Sequence, residues 1–161
     1  MTVSQVSETV TKEVAWRLFE EQGSNLIIPD FYTSIADDAF RSFPRLSSLV
    51  IPDSIISIGN KAFKNQSNLT SVSIGHSVDT IDDEAFASNY ALKPVVLGNN
   101  IKTIGSKAFR ACSTLSEIEI PNRVISIGDN ACDGCYELKS IKLGSGCTTT
   151  KVKTPRPCAS T

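Results

Sequence analysis

Apolar and polar residues recur along this chain at a fixed spacing of 23 residues. An Ala-Phe pair at Ala39-Phe40 returns three more times at this interval, and the fifth copy holds Ala131-Cys132 instead. The second position of the pair is occupied by Phe40, Phe63, Phe86, Phe109 and Cys132. A period of this length, kept without insertion over five copies, predicts a solenoid in which each copy forms one coil. The four Phe rings should then stack in one interior row.

Each copy also contains a short run in which apolar and polar residues alternate. In LTSVSIG, residues 69–75, the alternation places Val72 and Ile74 on one face of a strand and Ser71 and Ser73 on the other. The apolar face should form the core of the solenoid. One such core column comprises Ile51, Ile74, Leu97, Ile120 and Leu143.

A polar residue stands two positions before each pair. This column comprises Asp37, Asn60, Asp83, Ser106 and Asp129. All of these residue types are preferred at helix N-caps. The sequence therefore predicts a short helical or 3₁₀ turn at this point of every coil.

The N-terminal segment has a different period. In SETVTKEVAWRLFEEQ, residues 7–22, Val10, Val14 and Leu18 have helical spacing, with Trp16 and Phe19 on the flank. We predict an amphipathic helix that covers the first coil, and a partner-binding helix anchored by Trp16 is the alternative. The predicted organisation is an N-terminal helical cap at 1–25, a solenoid of about five repeats at 26–146 and an irregular tail at 147–161.

The repeat follows a recognisable consensus. Its clearest copies are IPDSIISIGNKAF, NIKTIGSKAF and IPNRVISIGDNACDGCYELKSIKL. This pattern resembles the leucine-rich repeats of the BspA type over about residues 26–146. The resemblance implies a mainly β solenoid of parallel strands, often found at the cell surface, that acts in adhesion or recognition. It brings no catalytic residues with it, and it suggests a cell-surface or secreted location.

Charge and hydropathy narrow the range of partners. Sixteen basic and seventeen acidic residues give a net charge of −1, and no basic stripe is present, so we do not expect nucleic acid as a partner. No apolar run approaches the ~20 residues of a membrane span, so membrane insertion is not expected either. The first ten residues, MTVSQVSETV, are too polar for a signal-peptide core.

Cys132 and Cys135 have the CxxC spacing of a zinc half-site or a redox pair. Their positions belong to two separate columns of the repeat, so we interpret them as small buried side chains and predict neither metal nor cofactor. Stacked neighbours Cys112 and Cys135 should remain reduced, because parallel Cβ vectors disfavour a disulfide. A bridge between Cys147 and Cys158 stays open.

The sequence offers no catalytic constellation. Asp82, Asp83 and Glu84 form an acidic cluster, but their columns assign them to turns and to an exposed charge ladder. His76 is the single histidine, and no Ser, His or Cys arrangement typical of nucleophilic catalysis accompanies it. We therefore predict a protein that is not an enzyme.

Function should then reside on the outward face of the strands. The predicted binding residues lie in two rows: Ser48, Ser71, Pro94, Glu117 and Ser140, beside Val50, Ser73, Val96, Glu119 and Lys142. Short side chains and the lack of an aromatic anchor favour a broad contact with a protein or a glycan over a small-molecule pocket. The alternative is a structural or assembly component that docks through its N-terminal helix or its ends. The sequence leaves the oligomeric state open.

Overall fold

The structure is a computed structural model that describes residues 8–147 and the backbone of residues 149 and 150. Within these residues the chain forms one helix, α1 (Lys12–Gln22), and thirteen short strands. The strands are β1 (Thr9–Val10), β2 (Asn25–Ile27), β3 (Ser34–Ile35), β4 (Ser48–Ile51), β5 (Ser57–Ile58), β6 (Ser71–Ile74), β7 (Thr80–Ile81), β8 (Val95–Val96), β9 (Thr103–Ile104), β10 (Glu117–Ile120), β11 (Ser126–Ile127), β12 (Ser140–Leu143) and β13 (Thr149–Thr150).

The strands form a parallel solenoid, which confirms the predicted fold class. The two-residue strands make one seven-stranded sheet in the order β1-β3-β5-β7-β9-β11-β13, here called the short-strand sheet. The remaining strands form the long-strand side, made of a four-stranded sheet, β2-β4-β6-β8, and a separate pair, β10-β12. On this side every pairing steps by 23 residues, as in Asn25 with Ser48 and Ser48 with Ser71. Because β2 already follows this register, the solenoid has about six coils, one more than the Ala-Phe columns reveal.

The four repeated Phe rings fill the centre of the solenoid. Phe40, Phe63, Phe86 and Phe109 are fully buried. Successive ring centroids lie 4.9, 5.2 and 5.5 Å apart, and the ring planes differ by 11°, 9° and 3°. These distances match the ~4.8 Å spacing of neighbouring strands, so each ring rests on the ring of the previous coil. The predicted interior row is confirmed.

Three residues after each ring, a second buried column supplies hydrogen-bond donors to the core. The side-chain nitrogens of Gln66 and Asn89 donate to the carbonyls of Phe40 and Phe63. In the next two coils, the thiols of Cys112 and Cys135 lie 3.2 and 3.1 Å from the carbonyls of Phe86 and Phe109 and donate to them. The column therefore satisfies one carbonyl per coil that would otherwise be buried without a partner.

This column explains the CxxC motif. Cys132 and Cys135 are both buried and are free thiols, as is Cys112. The neighbouring Cys135 thiol, together with burial, raises the pKa of Cys112 and of Cys132, so both stay protonated at neutral pH. The interpretation of these cysteines as buried structural side chains is confirmed. Cys158 lies outside the described residues, so the bridge from Cys147 remains untested.

The segment before each Phe is a pair of tight turns, and the prediction of a helical or 3₁₀ turn is wrong. The backbone is left-handed at the position between the polar residue and Ala, where φ is 53–58° at Asp38, Lys61, Glu84, Lys107 and Asn130. This conformation stops a helix from propagating. Amides here bond across coils instead, as from Asp38 to the Asn60 carbonyl at 2.9 Å. The predicted N-cap Asp37 likewise accepts from the Asn60 amide of the next coil at 2.8 Å.

The N-terminal segment covers the first coil, as predicted, but its helix begins later than expected. Thr9–Val10 pairs with β3 as a strand, which buries Val10 and covers the edge of the short-strand sheet. The helix starts at Lys12 after the Thr11 cap and ends at Gly23, whose φ is 75° and whose amide bonds the Phe19 carbonyl.

Aromatic contacts dock α1 on the solenoid. Trp16 stacks on Phe43 with centroids 4.3 Å apart, and Phe19 meets the same ring edge-on at 5.4 Å. Phe43 occupies the first position of the column whose later members are donors, and it extends the core toward the helix. These contacts favour the capping role over the partner-binding alternative.

The last long strand is less well covered than the sequence predicts. Leu143, placed in a core column, is 51% exposed, and Leu138 and Ile141 are only partly buried. In the described part of the chain, β12 pairs on one side only, with β10. The outermost coil therefore lacks the neighbour that buries the equivalent Ile51, Ile74 and Ile120 in earlier coils.

Candidate binding surface

The ten residues of the predicted binding face lie on the outside of the long-strand side. Nine of them are exposed, and Ser48 is partly buried, with its hydroxyl donating to the Asn25 side chain at 2.8 Å. The inward neighbours in the same strands, such as Val72 and Ile118, are buried. The alternation predicted from the sequence therefore places all ten residues on one continuous outer face.

This face is interrupted between β8 and β10. Successive coils are joined by a backbone bond just before each long strand, from Thr70 to the Ser47 carbonyl and from Lys93 to the Thr70 carbonyl. The next rung would run from the Ser116 amide to the Lys93 carbonyl, and it is not formed within residues 8–147. The rung after it, from Lys139 to Ser116, is present at 3.0 Å. One step of the ladder is thus missing.

Side-chain hydroxyls replace part of the missing backbone pairing. The Thr114 hydroxyl lies 3.0 Å from the Tyr90 carbonyl and 2.9 Å from the Leu92 carbonyl, and the Ser113 hydroxyl donates to Tyr90 at 3.2 Å. These contacts hold the two coils together just before the strands begin. The strands themselves are left free to separate.

Pro94 is the residue that distinguishes the interrupted coil. It stands in the column of Ser48 and Ser71, and the Ser48 amide donates to the preceding coil at 3.2 Å. Proline has no such donor, and its φ is fixed near −65°, whereas parallel strand residues prefer about −120°. The strand that follows is accordingly short, with two residues in place of four.

A groove of about 400 Å³ opens over the interruption. Three coils line it, namely residues 94–97 with Asn99, residues 117–122 and residues 142–144. Val96 and Leu143 give it exposed apolar surface, at 62% and 51% exposure. The volume falls in the range of ligand sites, but the groove is open and lies on a flat face.

The charged side chains of the groove are two glutamates and one lysine. The Lys142 ammonium lies 3.9 Å from the Glu119 carboxylate, and both side chains are largely exposed. Glu117 has no ion-pair partner among the described residues. The lining therefore carries a net negative charge that is centred on Glu117.

Sequence reasoning found half of this groove and missed the rest. Five of the ten predicted residues line it: Pro94, Val96, Glu117, Glu119 and Lys142. The missed members are strand ends and turn residues, including Asn99, Asn122 and Leu143. Pro94 was the available signal, because a proline inside a strand column removes a ladder donor.

Neither metal nor membrane chemistry is apparent in the described structure. Among residues 8–147, no group of three or more His, Cys, Asp or Glu side chains is arranged to hold a metal ion. In the same part of the chain, no helix has the length and apolar character needed to cross a bilayer.

Comparison with protein families identifies the repeat. A model described as the BspA type leucine-rich repeat region matches residues 25–158 with six copies. The chain belongs to the BspA-type leucine-rich repeat family. The six copies agree with the coil count from the strand register, and the resemblance inferred from the consensus is confirmed.

Solved structures of other BspA-like and leucine-rich repeat proteins share this fold. A leucine-rich cell surface protein of Faecalibacterium prausnitzii is 29% identical, with a TM-score of 0.71 over 80% of this chain and 33% of that protein. A leucine-rich repeat protein of Bacteroides ovatus is 34% identical, with a TM-score of 0.69 over 73% of this chain and 33% of that protein.

A third similar structure is the leucine-rich repeat protein of T. pallidum, which is 27% identical. Its TM-score is 0.73 over 74% of this chain and 58% of that protein. This BspA-type chain therefore spans between a third and just over half of the solved proteins that it resembles. A search of curated proteins gives no match.

Proposed function

We propose that this protein is a recognition or adhesion module that binds a protein or a glycan through the outer face of its long strands. The observation that carries the proposal is the groove over the sheet interruption, where exposed apolar, charged and backbone groups meet on an otherwise regular face. The rest of the solenoid is a closed core whose polar groups are bonded between coils.

Family membership supports a binding role of this kind at the cell surface. One structural relative is described as a cell surface protein, and leucine-rich solenoids use extended surfaces for contact. The buried cysteines, the turn carboxylates and the single histidine take part in structural contacts, so we propose no catalytic activity. His76, for example, accepts a hydrogen bond from the Asn99 amide at 3.3 Å.

The test is a binding comparison between two variants. Purified protein is applied to a printed glycan array and to a panel of immobilised extracellular proteins. The double variant Val96→Arg with Glu119→Lys should lose the binding shown by the unchanged protein, because both changes alter the groove without touching the core. Trp16→Ala should retain it. Retention by the double variant would refute the proposal.

An assembly role is the second candidate, and exposed apolar surface at the two ends favours it. Trp16 remains 41% exposed although it stacks on Phe43, and Leu143 is exposed at the other end. Under this function Trp16→Ala would abolish binding and the double variant would not. The same pair of proteins therefore separates the two functions.

A further inference from the structure

The groove has chemistry that selects among the possible partners of the outer face. We propose that it binds an extended segment of a protein partner in which a basic side chain alternates with apolar ones. This inference rests on the proposed function, because it uses the same face, and it narrows the partner from a protein or glycan to a polypeptide strand.

Backbone groups are the first reason for a polypeptide. Where β8 and β10 face each other, ladder pairing is absent in the described structure, although both strands pair normally on their other sides. Their peptide groups on the facing sides therefore remain available to a ligand. An extended segment presents amides and carbonyls at the spacing of a strand, which is how peptides bind to open strand edges.

Shape is the second reason. Long strands in this sheet have four residues, which corresponds to roughly 13 Å of extended chain. The groove runs along strands of this length and has a volume of about 400 Å³. It can hold a few residues of extended chain, whereas the flat face elsewhere has no comparable depression among the long strands of the described coils.

Charge is the third reason, and it sets the sign of the ligand. Glu117 has no ion-pair partner in the described residues, and the charge of Lys142 is offset by Glu119 at 3.9 Å. Lys93 and Lys139 precede the strands and are not part of the lining. A Lys or Arg side chain seated beside Glu117 would therefore gain a charge-assisted hydrogen bond.

Apolar contact completes the arrangement. Val96 and Leu143 stand exposed on the two sides of Glu119 in the coils before and after it. Because side chains of an extended segment alternate between two faces, residues on either side of a basic one would lie over different parts of the groove. The expected recognition pattern is thus apolar-basic-apolar.

The test uses two synthetic peptides that differ only in charge. Acetyl-Val-Arg-Val-Arg-Val-amide and acetyl-Val-Glu-Val-Glu-Val-amide are titrated into the isotope-labelled protein, and backbone amide chemical shifts are followed by NMR. We expect saturable shifts at residues 95–97 and 117–120 with the Arg peptide, and at least tenfold weaker binding of the Glu peptide. Methylating the backbone nitrogens of the Arg peptide should weaken it by a similar factor.

Matched protein variants assign the effect to the groove. Glu117→Gln, which keeps the shape of the side chain, should weaken binding of the Arg peptide at least fivefold. Glu137→Gln makes the same change at an exposed residue of the next coil outside the lining and should leave binding unchanged. Equal affinity for both peptides, shifts outside the groove or no saturable binding would overturn the inference.

Failure of this inference can be told apart from failure of the proposed function. If the Arg peptide does not bind, yet the Val96→Arg and Glu119→Lys variant still loses binding on the arrays, the face is a binding surface for another ligand. If that variant keeps its binding as well, the outer face is not the binding surface.

Discussion

The short-strand sheet is continuous over seven strands, whereas the long-strand side is broken into groups of four and two. Both sides are built from the same 23-residue copies and share one row of stacked rings. On the short-strand side, the paired residues are a Ser or Thr followed by an Ile, and successive strands pair through both residues. On the long-strand side, a single copy carries a proline where the others have Ser or Glu.

The difference shows that the buried columns and the backbone ladder are separate requirements. Val95 and Leu97, in the interrupted coil, are buried like their equivalents, so the core continues across the break. The ladder does not, because it depends on backbone geometry at an exposed position. A repeat can therefore open a groove on its surface without disturbing its interior.

The largest effect should come from breaking the row of rings that both sides share. Phe63→Ala removes a fully buried ring stacked on Phe40 and Phe86, and we expect a loss of about 3–5 kcal/mol in the free energy of unfolding. Denaturant unfolding measures it. Exposed Phe31→Ala is the matched control and should cost far less. Equal losses from both variants would mean that the row does not hold the coils together.

A smaller gain should come from the coil after the break, where the row ends in Cys132. A small apolar cavity of about 10 Å³ borders this side chain, with Phe109 and Ile141 among its other neighbours. Cys132→Phe should add about 1 kcal/mol of stability and slow amide exchange from Ile127 to Leu143, because partly buried neighbours can move to admit the ring. Hydrogen exchange measures it.

The opposite outcome at this position is equally informative. Cys132→Ala should enlarge the cavity and speed exchange in the same segment. A destabilising Cys132→Phe would show that the coil is already packed around the cysteine.

Replacing the proline should remove the contrast between the two sides. Pro94→Ser restores the donor found in neighbouring coils, and we expect β8 and β10 to pair, with a gain of up to about 1 kcal/mol. The measurement is amide exchange at Ser116, which should slow. Pro44→Ser, in a turn outside the sheets, is the control and should leave Ser116 unchanged. Unaltered exchange in Pro94→Ser would place the cause of the break elsewhere.

The smallest effect concerns a salt bridge on the continuous side. The Lys64 ammonium donates to the Glu84 carboxylate, and this bond, supported by Lys61 and Lys107, lowers the pKa of Glu84 below 4.5. A depressed folded-state pKa contributes stability above the unfolded value and loses it as pH falls through the folded one. Both side chains are about a quarter exposed, so the pair should contribute roughly 0.2–1 kcal/mol.

Glu84→Gln tests this contribution. Its deficit relative to the unchanged protein should be present at pH 7 and vanish near pH 3, as followed by thermal unfolding. Glu137→Gln, whose side chain has no ion pair in the described structure, should show no such pH dependence. A deficit that is constant with pH would mean that Glu84 acts through its turn geometry.

The features that the sequence predicted well are those set by period alone. Phe40 and Phe63 stack because equal spacing places them in equal positions of successive coils, and Val72 and Ser73 face opposite ways because strands alternate. The turns were mispredicted because Asp, Lys and Glu at the left-handed position carry no common signal for it. The start of α1 was misplaced because Val10 fits a helical stripe and a buried strand equally well.

The groove could be predicted only in part. The outward positions follow from alternation, so Val96 and Glu117 were found together. The break was not, because it depends on how the backbone around Pro94 aligns with the following coil, and no property of the individual side chains encodes that alignment.

The constant step of 23 residues between paired long strands makes this molecule a ruler with fixed divisions. Gain or loss of one whole copy would change the length of the solenoid by about 4.8 Å and leave every other column in register. A change of any other size would misalign the columns, and a slip of one residue would turn core side chains outward. Gene duplication or deletion in whole copies can therefore shift the groove relative to the N-terminal helix in regular increments while the core remains intact.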